Sequence, residues 1–114
     1  MSVDLSLLRA RHVALLESEL ARLVDELKAF GAHLIVLFGS YAQGRRDLFT
    51  DLDLLAVIDS DEPFLQRLAT VRGTLRPKVD TDLFVYSPSE FEEMKERPFV
   101  RHVLKMGKVL YVRE

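Results

Sequence analysis

The chain has 114 residues, enough for one compact domain and too few for a second core of useful volume. Hydrophobic residues make up 48% and charged residues 30%, a balance that excludes a disordered or fibrous chain. Sixteen Lys plus Arg against eighteen Asp plus Glu give a formal charge of -2, so no overall basic field draws in a polymer and no direct nucleic-acid binding is expected.

Cysteine is absent, which removes disulfides, thiolate metal sites and thiol nucleophiles and agrees with a reducing compartment. The apolar stretch from His33 to Phe38 is far too short to span a bilayer, and Asp4, Arg9 and Arg11 stand where a signal peptide needs an apolar centre. The expectation is a single cytoplasmic domain over residues 1–114 with no membrane partner.

Leu5, Leu8, Leu16, Leu20, Leu23, Leu27 and Phe30 recur three or four residues apart, with His12 filling the one gap, and predict an amphipathic helix. Gly31 can take the left-handed conformation that closes it, and Leu34 to Phe38 is a continuous apolar run that suits a buried strand. Gly39-Ser40 ends that strand, and the polar segment through Gly44, Arg45, Arg46 and Asp47 has room for one helical turn. A second strand is expected from near Asp51, with Leu52 and Leu54 to Ile58 as its body. Pro63 falls in the first turn of a helix running to about Leu75.

Val79 to Tyr86 is expected as a third strand, with Asp80, Asp82 and Phe84 on one face and Thr81, Leu83 and Val85 on the other. Ser87-Pro88-Ser89-Glu90 carries the cap, the proline and the acid of a helix opening. Pro98 breaks or restarts that helix, a last helix holds Phe99 to Met106, Gly107 closes it, and Val109 to Val112 forms a short edge strand. This order predicts an α/β domain with a mixed sheet, its first two strands antiparallel because their link is tight. The long first helix should cover one face.

Asp51 and Asp53 are separated by one residue, which in a strand points both carboxylates to one face, roughly 6.5 Å apart. A strand otherwise made of Leu, Ala, Val and Ile has little structural reason to begin with two neighbouring anions, whose repulsion calls for a cation or for solvent. Gly39 permits close backbone approach, and the amide and hydroxyl of Ser40 suit phosphate oxygens at a turn. Phosphate binding and divalent metal binding meeting at one place is the requirement of phosphoryl chemistry. His12, His33 and His102 show no metal-ligand spacing, and no Gly-x-Ser-x-Gly elbow is present to support a hydrolase triad. The seven Phe and three Tyr stand at core-compatible spacings and form no array for stacking bases.

Gly39-Ser40-Tyr41-Ala42-Gln43-Gly44, followed after six residues by Asp51-Leu52-Asp53-Leu54, resembles the signature of the DNA polymerase β-like nucleotidyltransferases, above all their minimal members, the MNT domains. The resemblance spans about residues 30–90 and implies a mixed-sheet, polymerase β-like palm with flanking helices. It also implies that Gly39 and Ser40 hold a nucleoside triphosphate, that Asp51 and Asp53 ligate metal, and that a third carboxylate completes the metal set and activates the attacking hydroxyl. Asp82-Leu83-Phe84-Val85-Tyr86-Ser87-Pro88 is similar to the family's third strand and helix start, which makes Asp82 the choice and Asp80 the runner-up. Where many members have arginine this chain has Gln43, and where many have serine before the first aspartate it has Thr50. The resemblance is to the minimal members, so the C-terminal helical domain of larger relatives is not expected.

Triphosphate and three aspartates together need cations, so the expectation is two magnesium ions roughly 4 Å apart; the resemblance implies ATP as substrate and AMP as the transferred group. Arg45, with Arg46 beside it, is a candidate to add positive charge at the departing pyrophosphate. The resemblance further implies an antitoxin that adds AMP to a small helical HEPN-type partner, and it leaves room for a homo-oligomer. Two rivals stay open: a binding module that blocks its partner without catalysis, and a transferase for a small molecule.

Overall fold

The computed structural model describes residues 2–114. Its elements in chain order are α1 (Leu5–Ala29), β1 (Ala32–Phe38), α2 (Gly39–Ala42), β2 (Leu52–Ile58), α3 (Phe64–Leu75), β3 (Thr81–Tyr86), α4 (Pro88–Met94), α5 (Pro98–Met106) and β4 (Lys108–Val112). The strands form one mixed sheet in the order β3-β2-β1-β4, with β1 antiparallel to both neighbours and β2 parallel to β3. The α/β expectation and the antiparallel β1–β2 pairing both hold. Among the described residues no helix is long and apolar enough to cross a membrane.

Alternation along the strands divides the core in two. Leu16, Leu23 and Leu27 of α1 pack with Ile35, Leu37, Leu52, Leu54, Leu83 and Val85 and with Val71 and Leu75 of α3 on one sheet face. Val36, Leu55, Val57 and Tyr86 face the other way and meet Val100 and Val103 of α5. The three α1 leucines have no exposure, so each contributes roughly 1.5–3 kcal/mol through removal of its side chain from water.

Local chemistry sets the boundaries. Asp4 caps α1 by accepting from the Leu7 amide at 3.1 Å, and Gly31, at φ 88°, turns the chain into β1. Ser87 and Glu90 form the expected reciprocal capping box at α4. β1 begins at Ala32, ahead of the apolar run, because Ala32 pairs with Ile58 across a register shift at His33. β3 begins at Thr81, two residues later than expected. The backbone before it is engaged elsewhere: the Lys78 amide donates to Glu19 at 2.6 Å, and the Thr81 hydroxyl donates to the Val79 carbonyl at 3.0 Å.

Two ion pairs, each with one buried partner, fasten the helices. Glu19 accepts from Arg22 Nε and Nη2 at 2.6 and 2.8 Å as well as from Lys78, which ties α1 to the turn before β3. Arg67 of α3 pairs with Glu90 of α4 and donates to the Val85 and Glu62 carbonyls at 3.0 and 2.6 Å. Arg72 donates to the Thr81 carbonyl at 2.7 Å, which fixes the first residue of β3 directly before Asp82.

Candidate active site

The site lies where β1 ends and β2 and β3 begin. Phe38, the last residue of β1, is the register partner of Asp53, so the turn at Gly39 is delivered against the Asp53 side chain. Gly39 has φ 75°, a conformation that favours glycine, and any Cβ there would overlap the Asp53 carboxylate, with the Asp53 carboxyl carbon only 2.7 Å away. A larger residue would therefore displace either the turn or the carboxylate. Ser40 follows in the single turn of α2, where the amides of Gln43 and Arg45 both close onto its carbonyl.

Asp53 and Asp82 are direct register partners across the parallel β2–β3 ladder. Asp53 alternates with Leu52 and Leu54, and Asp82 with Leu83, so both carboxylates share the sheet face of Leu55 and Tyr86. Burial, then the hydrogen bond and charge of Asp82, then the charge of Asp51 push the Asp53 carboxyl up to about 6. Asp51 is half-buried directly before β2, and Asp82 is open to solvent. Asp80 sits outside β3 with an exposed side chain, although its carbonyl accepts from the Leu52 amide at 3.1 Å. Register thus brings Asp82, and not Asp80, opposite Asp53.

The segment between α2 and β2 is held by its own side chains. Asp47 accepts from the Phe49 amide at 2.8 Å and from Arg45 Nε at 2.7 Å, while the buried Thr50 hydroxyl accepts from the Asp47 amide at 2.9 Å. Arg45 above all, together with these hydrogen bonds, holds the Asp47 carboxyl down at about 2. His12 Nε2 lies 3.0 Å from the Thr50 carbonyl and joins this loop to α1. Thr50 closes the turn through its hydroxyl, a bond that serine could also make. Arg45 is committed to Asp47, within range of the charge of Asp51. Arg46 lies over the Tyr41 ring at 3.4 Å and donates to the Tyr41 carbonyl at 2.8 Å, so it braces the loop. His33 is bound to Asp59 at 2.8 Å, away from the carboxylates.

Gln43 donates from its side-chain amide to the Met106 carbonyl at 3.1 Å and so links α2 to the end of α5. Phe38, Phe84 and Phe99 cluster beside the carboxylates with ring centroids 4.9–6.0 Å apart. Neither feature was anticipated, because both depend on contacts between residues far apart in the chain.

The donor set fits a hard divalent cation. Its oxygens are carboxylate oxygens, Asp53 is held in a repulsive pairing that a cation would relieve, and Gly39 leaves the space beside it free of a Cβ. Among the described residues no three acidic or imidazole side chains converge into a complete cage. The expected metal set of Asp51, Asp53 and Asp82 is therefore not assembled as one cage: the structure opposes Asp53 and Asp82, with Asp51 directly before β2.

A mixed sheet opposes two carboxylates on adjacent strands and seats a glycine-serine turn against one of them, an arrangement whose class the comparisons with known proteins identify. Residues 17–70 match the family described as Nucleotidyltransferase domain, a span that includes Gly39, Ser40, Asp51 and Asp53. A relative in Methanocaldococcus jannaschii, named "putative protein adenylyltransferase", is 38% identical over 77 residues, which cover 68% of this chain and 76% of that protein. The chain belongs to the nucleotidyltransferase domain family. A solved chain from the toxin-antitoxin MntA-HpeT aligns over 86% of this chain and 73% of its own, with 22% identity and a TM-score of 0.49.

Proposed function

We propose that this chain is a magnesium-dependent nucleotidyltransferase that moves AMP from ATP to a hydroxyl of a partner protein, as the antitoxin of a HEPN/MNT pair. The observation that carries the catalytic part is the opposition of Asp53 and Asp82 beside the Gly39-Ser40 turn. The protein acceptor is supported by the relative named as a protein adenylyltransferase. The antitoxin role rests on the resemblance of the Gly39-to-Asp53 motif to MNT domains.

In this reading Gly39 and Ser40 bind the triphosphate, and Asp51, Asp53 and Asp82 hold the metal. Magnesium, when bound, supplies Lewis-acid stabilisation of the phosphoryl oxygens. Asp82 is the exposed member of the opposed pair and faces an arriving acceptor, so it takes the proton of the attacking hydroxyl. Asp53, the more buried member, stays against the turn, where it would hold the cation that offsets the charge of the phosphate. A hydroxyl placed in line with the α-phosphate gains from proximity what it lacks in intrinsic nucleophilicity.

Co-expression with the protein encoded beside this chain, followed by intact mass spectrometry of that partner, tests the reading. An added nucleoside monophosphate that disappears with Asp51→Asn is the expected result. Tight association without modification, unchanged by that substitution, would support a non-catalytic binding module instead.

A further inference from the structure

A cavity of about 390 Å³ opens directly beside the phosphate turn, between α2 and α5. Gly39 itself lines it, together with Phe38, Gln43, Phe99, His102 and Met106. Phe99 is 42% and Met106 47% exposed although both carry large apolar side chains, and His102 is exposed as well. These residues come from two segments some sixty positions apart, brought together in part by the Gln43 to Met106 bond. Other exposed apolar residues, such as Leu5 and Phe49 at the start of α1 and its neighbouring loop, lie on a different part of the surface and have nothing that identifies a partner.

We propose that this cavity receives the nucleobase of the triphosphate, a purine in preference to a pyrimidine, with the open ring of Phe99 as the stacking surface. The inference deepens the proposed function and rests on the triphosphate binding at Gly39 and Ser40. Continuity is the first argument: the residue that lies against the Asp53 carboxylate also forms the cavity wall, so a ligand anchored by phosphate at the turn has its remaining parts within reach of the cavity. Chemistry is the second. Phe99 is held by Phe38 at 5.8 Å in an edge-to-face arrangement and by Phe84 at 4.9 Å, so it is presented as a supported ring with part of its surface still in solvent. A planar heteroaromatic base gains from such a ring, and the larger purine gains more. Met106 adds a polarizable side that packs favourably on aromatic edges. The Gln43 nitrogen is engaged with Met106, which leaves its side-chain oxygen as the acceptor available to an exocyclic amino group.

Calorimetry of the full chain in magnesium, with ATP, UTP and inorganic tripolyphosphate as ligands, separates this inference from the reading beneath it. Phe99→Leu keeps an apolar side chain but removes the ring, and His102→Ala changes a second, exposed wall residue without touching the aromatic cluster. The expected result is tighter binding of ATP than of UTP or tripolyphosphate. Phe99→Leu should weaken ATP on the order of tenfold, narrow the gap between ATP and UTP, and leave tripolyphosphate unchanged. His102→Ala should act in the same direction with a smaller effect. Tripolyphosphate bound as tightly as ATP, or equal losses for ATP and tripolyphosphate in Phe99→Leu, would overturn the cavity assignment while leaving the phosphate site standing. No binding of any of the three ligands by the wild-type protein would overturn both.

Discussion

Asp53 carries a conflict between stability and function. Its carboxyl is raised to about 6 from an ordinary 3.8, so the folded state holds this proton more tightly than the unfolded state. The sign is that of a destabilising charge: stability from this group falls as pH rises from about 4 through about 6. Asp53→Asn is therefore expected to raise the melting temperature of the metal-free protein at pH 7.5 and to reduce transfer by on the order of a hundredfold or more. A lowered melting temperature with activity retained would contradict the assigned conflict. Gly39→Ala is expected to fail in the opposite way. Its Cβ meets the Asp53 carboxylate at a positive φ, so thermal denaturation should show a loss of roughly 1–3 kcal/mol along with weaker nucleotide binding.

Among elements, α1 braces the segments that lead into β2 and β3. Glu19 reaches from α1 to the Lys78 amide, three residues before Thr81 and the start of β3. Arg22 above all, with the Lys78 amide, lowers the Glu19 carboxyl from 4.5 to about 2. A lowered acid contributes stability fully above about pH 4.5 and loses it as pH falls through about 2. Glu19→Gln should cost about 2 kcal/mol at pH 7, less than the 3–5 kcal/mol of a fully buried pair because Arg22 stays partly in solvent and keeps Glu26. The variant's stability should also be flatter between pH 4.5 and 2, which acid titration followed by circular dichroism checks.

The helices and strands were largely legible in the sequence because the three-to-four-residue leucine spacing of α1 and the cap at Ser87 are local signals. The late start of β3 was not, because Glu19 and Lys78 are 59 residues apart. The same limit applies to the site. The Gly39-Ser40 turn and the Asp51/Asp53 pair stand out by spacing, and the preference for Asp82 over Asp80 comes from the family resemblance; that Asp82 lies opposite Asp53 is visible only in the β2–β3 register. The link from Gln43 to Met106 spans 63 positions and leaves no local pattern.

At the scale of the whole molecule, one sheet serves two layers of helix and gathers the candidate site where β1 ends and β2 and β3 begin. The α1 and α3 layer is sealed by fully buried leucines, and Leu23→Ala should cost about 2–5 kcal/mol in chemical denaturation without altering the denaturant dependence of unfolding. The opposite face carries the exposed Asp82, the half-buried Asp53 and the aromatic cluster, so the same sheet face that packs against α5 also presents the opposed carboxylates. Family membership gives the class of reaction, and the proposed metal dependence rests on the opposed carboxylates: with triphosphate added, uncompensated negative charges at close range would repel the ligand.

Calorimetric titration of ATP into the protein, once with magnesium and once with chelator, is the most direct measurement of that claim. Binding that requires magnesium, and that loses most of this requirement in Asp53→Asn, is the predicted result. ATP binding of equal strength in chelator and in magnesium would contradict it.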